Sequence, residues 1–137
     1  MQSKSQQYSE AVYKRIAAYI NNRETDEQIK RKYKSLCKRS GGVLRMVGLI
    51  QFLTFLQAKA QKESEIHHQT LLEHIQQELS EFKIVKSNDI NSMLSKIREL
   101  SLPNYMHTTK EVLKFLQWHK RMSDILIQGT ADESVEE

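Results

Sequence analysis

The stretch Val43-Leu-Arg-Met-Val-Gly-Leu-Ile-Gln-Phe-Leu-Thr-Phe-Leu-Gln-Ala-Lys-Ala-Gln61 is the most apolar part of the chain, and its reading decides the fold. Leu44, Met46, Val47, Leu49, Ile50, Phe52, Leu53, Phe55 and Leu56 fall around the whole circumference of a helix and leave no broad polar face. A helix that is apolar all round is buried all round, so residues 43–61 are predicted to form the centre of a helical bundle. Arg45, Gln51 and Thr54 interrupt the stretch, which also falls short of the ~20 residues a bilayer crossing needs. It reads as core, and no membrane association is expected.

Working outward, apolar residues recur at helical spacing almost everywhere, and no strict alternation suggests a strand. Tyr8, Val12, Ile16, Tyr19 and Ile20 mark a first helix. The capping box Thr25-Asp-Glu-Gln28 opens a second, with Ile29, Tyr33, Leu36 and Cys37 as its stripe, and Gly41-Gly42 is expected to end it. Beyond the central helix, Ile66, Leu71, Leu72, Ile75, Leu79 and Phe82 mark a fourth. Ile90, Met93, Leu94, Ile97 and Leu100 mark a fifth, with Ser87 or Asn88 as its cap, and Pro103 is expected to break the chain after it. A second capping box, Thr108-Thr-Lys-Glu111, opens a last helix burying Val112, Phe115, Leu116, Trp118, Met122, Ile125 and Leu126. The prediction is an all-α, single-domain bundle of about six helices over residues 1–128, packed around 43–61. An acidic tail, 129–137, is expected to be disordered.

The 137 residues suffice for one core without metal or disulfide staples. Hydrophobic residues at 39% against 28% charged, with four Gly and one Pro, exclude collagen-like, disulfide-rich and wholly disordered classes. A lone Cys37 forms no intramolecular disulfide and reads as a small buried hydrophobe. With no signal peptide visible at the start, the expected location is cytoplasmic.

Catalysis finds no foothold. Gly41, Gly42 and Gly48 match neither phosphate-binding glycine pattern, and no local nucleophile signature is present, so the chain is predicted not to be an enzyme and to carry no cofactor. Glu63, His67, His68 and His74 have helical spacing, but a metal wants ligands converging from more than one helix. They read as a solvated face, with no metal. His119, between Phe115 and Met122, reads as a hydrogen-bonded core or interface histidine.

Charge carries the strongest polar signal. Residues 1–62 hold 13 Lys and Arg against 4 Asp and Glu, and residues 63–137 hold 8 against 13, behind a net charge of +4. Lys30, Arg31, Lys32, Lys34, Lys38, Arg39 and Arg45 follow one another within residues 28–45 without a single acid. Helical spacing sets Arg31, Lys34 and Lys38 opposite Ile29, Tyr33 and Leu36 as an outward stripe. Lys110, Lys114 and Arg121 align on the last helix in the same way. Such a stripe is often only a lysine-coated surface. Like charges four apart repel, however, and retaining seven without compensation points to a polyanion partner gripped through its backbone.

Two segments carry a family resemblance. Residues 33–59, Tyr33-Lys-Ser-Leu-Cys-Lys-Arg-Ser-Gly-Gly-Val-Leu-Arg-Met-Val-Gly-Leu-Ile-Gln-Phe-Leu-Thr-Phe-Leu-Gln-Ala-Lys59, resemble the basic helix, turn and core helix of the small all-helical subunit of type III-B CRISPR effectors, the Cmr complex. Residues 105–121, Tyr105-Met-His-Thr-Thr-Lys-Glu-Val-Leu-Lys-Phe-Leu-Gln-Trp-His-Lys-Arg121, resemble its closing signature, and Leu71-Leu-Glu-His74 the start of its middle helix. The likeness spans about residues 8–127. It implies a non-catalytic subunit stacked along the ribonucleoprotein beside repeated backbone subunits, helping to hold target RNA on the guide RNA while other subunits cleave. On that reading Lys34, Lys38, Arg39 and Arg45, with Lys59, Lys120 and Arg121, face RNA. Glu73, Glu78 and Glu81 would meet a basic patch of a second copy head to tail. The alternatives are a type III-A small subunit with the same role and a helical nucleic-acid-binding regulator.

Overall fold

Ser3 opens the first helix with a reciprocal cap: its hydroxyl accepts from the Gln6 N–H while the Gln6 side chain accepts from the Ser3 N–H. In the computed structural model, which describes residues 1–129, α1 (Lys4–Ile20) is followed by α2 (Glu27–Val47) and α3 (Leu49–Lys59). A 3-10 turn (Glu63–Glu65), α4 (Ile66–Glu81), α5 (Ile90–Arg98) and α6 (Leu102–Leu126) complete the chain. The described residues hold six α-helices and no strand, as the spacing of apolar residues predicts. Of the expected acidic tail, residues 130–137 lie outside the described residues.

The segment 43–61 is not one buried helix. α2 runs through Gly41 and Gly42 to Val47, and the break falls at Gly48, with φ 88° and ψ 167°. That conformation is nearly closed to residues bearing a Cβ, so Gly48 alone both ends α2 and begins α3. The new helix axis makes burial one-sided: Leu49, Phe52, Leu53 and Leu56 have no exposed surface, whereas Met46 is 84% exposed. Ile125, expected in the core, is 72% exposed as well.

Helix starts also shift. Asp26, not Thr25, caps α2 by accepting from the Gln28 and Ile29 N–H groups. Asp89, not Ser87 or Asn88, caps α5. Pro103 does not break the chain but sits in the first turn of α6, where its missing N–H has no helical partner to lose. The Thr108 box is therefore mid-helix: Thr108 donates to the Asn104 carbonyl, and Glu111 is buried.

α6 packs between α1 and α2, α4 between α2 and α3, and α5 against α3 and α4. α2 thus has neighbours on two sides, and it buries Lys30, Tyr33, Lys34, Ser35, Leu36, Cys37, Ser40 and Leu44. Each large apolar side chain fully buried here contributes roughly 1.5–3 kcal/mol.

Candidate nucleic-acid interface

The basic run on α2 divides into two groups. Lys30 and Lys34 are buried. The Lys30 ammonium donates to the Ile20 carbonyl at 2.8 Å and to Glu27 at 3.2 Å. That of Lys34 donates to the carbonyls of Ile127 at 3.0 Å and Gly129 at 2.6 Å, with Asp124 at 3.9 Å. Neither α1 nor α6 has a basic residue in its last turn, so α2 supplies the positive charge their C-terminal carbonyls favour. Lys34 is therefore not on an outward stripe, contrary to the helical-wheel reading.

Lys38, Arg39 and Arg45 are exposed, as are Lys59 on α3 and Lys120 and Arg121 on α6. The seven sequence-predicted residues do not meet at one place. Arg39 and Lys59, together with Lys32, lie close enough to His67 at the start of α4 to act on it electrostatically. Arg121 instead lines a cleft against α1.

The histidines of α4 do not form a solvated face. His67, His68 and His74 are all buried. Burial, then the neighbouring His68, Lys32, Arg39 and Lys59, pushes the His67 imidazole down to about 3. His68 is lowered chiefly by burial, against its hydrogen bond to the Glu65 carbonyl at 3.0 Å. Buried atoms His67 Nδ1 and His68 Nε2 make no hydrogen bond. With Glu65, not Glu63, these two histidines bring three potential metal-ligating atoms within 4.8 Å of one another. The cations that disfavour His67 protonation disfavour a dication at the same place.

His74 belongs to a different cluster in the core. Its Nδ1 lies 2.6 Å from the Tyr33 hydroxyl, which lies 3.0 Å from His119 Nδ1, and His119 Nε2 lies 2.6 Å from Glu78. Burial, with His119 and Arg15 adding to it, holds His74 well below its ordinary range. Arg15 donates to Glu78 at 3.2 Å, Gln77 at 3.0 Å and Glu81 at 2.9 Å. Glu78 has no exposed surface, so it is no docking acid for a second copy; Glu73 and Glu81 are exposed. His119 is the hydrogen-bonded core histidine that its place in the sequence predicts. Arg15, the counter-charge of this cluster, had no signal in the sequence because it comes from a helix 62 to 66 residues distant.

The molecule is thus a small all-helical protein with cations displayed on α2, α3 and α6 and its core carboxylates tied to cations, histidine and tyrosine. No helix among the described residues is long and apolar enough to cross a membrane. The family model for the CRISPR-associated protein Cas_Cmr5 matches residues 4–126, and the chain belongs to this family, the small subunits of Cmr (type III-B) complexes. It is similar to the CRISPR system Cmr subunit Cmr5 of Thermus thermophilus, 24% identical over 128 residues that cover 93% of this chain and 99% of that protein. A crystal structure of a CRISPR-associated Cmr5 family protein, also from Thermus thermophilus, shares the fold, with a TM-score of 0.73 at 22% identity, covering 93% of this chain and 100% of the other. The family match favours type III-B over the type III-A alternative.

Proposed function

We propose that this chain is a non-catalytic small subunit that grips the backbone of target RNA and guide RNA through Lys38, Arg39 and Arg45, with Lys59, Lys120 and Arg121 contributing. The observation that carries this reading is the division of the α2 run. Lys30 and Lys34 serve the fold, whereas Lys38, Arg39 and Arg45 stay exposed in a segment without a single acid. Like charges close together on one helix repel, and a polyanion relieves that repulsion. Lys34 is left out of the set.

Changing Lys38, Arg39 and Arg45 together to Glu is expected to weaken target RNA binding by the assembled effector. Unchanged binding by that variant rejects the reading. If three to five cations each meet a phosphate of single-stranded RNA, log affinity falls with log salt at a slope of about −2 to −3.5.

Contact with a second copy is a separate reading, favoured by Glu73 and Glu81 lining the same groove between α1 and α4. Reversing both charges is expected to weaken self-association in sedimentation at low salt. A chain that stays monomeric at high concentration removes it.

A further inference from the structure

Between the first turn of α1 and the middle of α6 lies a cleft of about 460 Å³, within the range of sites that hold small ligands. Lys4 and Tyr8 line it from α1, and Lys114, Gln117, Trp118 and Arg121 from α6. Those four α6 positions are spaced i, i+3, i+4 and i+7, so they share one face of the helix. Tyr8 is buried and stacks on Phe115 with ring centroids 4.0 Å apart. Its hydroxyl donates to Glu111 at 2.6 Å.

Glu111 sets the charge of the cleft. It is buried, which by itself favours the neutral acid. Hydrogen bonds from Tyr8, Lys114 and Lys4 outweigh that and hold the carboxyl down to about 2. Lys114 lies 2.9 Å and Lys4 3.3 Å from it. One carboxylate thus tethers two lysines from different helices, and both lysines line the cleft. Arg121 makes no ion pair among the described residues. Three cationic residues therefore line the cleft and no acidic one does, Glu111 lying behind two of them, so the site favours an anion.

Charge alone would suit any anion, but the remaining walls narrow the choice. Trp118 is half-buried and offers an indole beside the cations, and the Gln117 amide both donates and accepts hydrogen bonds. A phosphate carrying a flat aromatic base uses all of these groups, whereas an aliphatic acid leaves the indole without a role. We propose that this cleft seats one unpaired nucleotide of an RNA strand, its base against Trp118 and its phosphodiester on Lys4, Lys114 and Arg121. This rests on the RNA-binding reading above and adds a base-directed site to it.

Trp118 is the sole tryptophan of the chain, so its emission reports on this cleft alone. The full chain is titrated with a short labelled oligoadenylate and with an abasic ribose-phosphate strand of equal length, and both emission and anisotropy are followed. The base-bearing strand is expected to quench Trp118 saturably and to bind about 5- to 100-fold more tightly than the abasic one. Trp118→Leu is expected to abolish that preference while leaving salt-dependent binding of both strands. If that variant does not fold, the two strands on the unaltered chain still decide. RNA binding seen by anisotropy with unchanged emission and no preference for bases overturns the cleft proposal and leaves the backbone reading standing. No binding of either strand overturns the cleft proposal, and the backbone reading is then decided by the Lys38, Arg39 and Arg45 variant in the assembled effector. Quenching by a glutamate-rich peptide but not by RNA overturns the nucleotide assignment in favour of a protein-docking cleft.

Discussion

Lys34 and Lys38 sit four residues apart on α2, yet one is buried against the end of α6 and the other is exposed. Hydrogen bonds from a charged donor to buried carbonyls contribute roughly 1.5–3 kcal/mol each, less the cost of desolvating the ammonium. Lys34→Ala is expected to cost about 1–2 kcal/mol in urea denaturation, while Lys38→Ala stays within about 0.5 kcal/mol. Equal effects would show that Lys34 does not anchor the end of α6. The buried histidines have a second consequence, in the pH dependence of stability. His67, His68 and His74 are all held below their unfolded proton affinity, so below pH 6.5, and down to about 3 for His67, the unfolded chain binds more protons than the folded one. This contribution is therefore fully present above pH 6.5 and falls as pH drops, by ~2 kcal/mol for His67 at pH 5. Glu111, held down to about 2, adds a further loss below pH 4.5. His67→Gln should flatten the slope between pH 6.5 and 5 in thermal denaturation; an unchanged slope would mean that His67 titrates normally.

At the scale of elements, three glycines close in sequence have opposite roles. Gly41 and Gly42 lie inside α2, where an added Cβ meets only ordinary contact or open space. Gly42→Ala is expected to stabilise by about 0.5–1 kcal/mol, whereas a helix ending there would gain nothing. Gly48 has equally open surroundings, but its positive φ strains any side chain, so Gly48→Ala should cost about 1–3 kcal/mol. Differential denaturation of these two variants distinguishes a break at 48 from one at 41. The reason the sequence misleads here is physical. A glycine pair is a frequent helix terminator, but α2 is held along both flanks by α6 and α4, which outweighs a propensity cost of about 1 kcal/mol per glycine. Ser101 and Pro103 were legible as helix-opening residues, had the more distant Thr108-Glu111 pattern not competed with them.

For the whole molecule, the core is dense enough to seal its only cysteine. Cys37 is buried, and that burial, against hydrogen bonds with Tyr33 and Ser123 that act the other way, pushes its thiol up to about 12. A thiol-specific reagent should react with Cys37 only at the rate of unfolding, and fast reaction in native buffer would show that the α2–α6 contact opens. The all-helical class, the number of helices and most of their apolar stripes were determined by the sequence alone, because the spacing of apolar residues along a helix is a local property of the chain, whereas the breaks at Gly48 and Ser101 were not. The concentration of cations on α2 was legible for the same reason. Only the tertiary structure decided which cations remain outside. Lys30 and Lys34 are drawn in by carbonyls at the ends of α1 and α6 and Glu78 by His119 and Arg15, while buried Glu111 tethers Lys4 and Lys114, which stay exposed. A charged side chain is buried where another segment brings it a partner, and most of these partners are set by packing between helices distant in sequence.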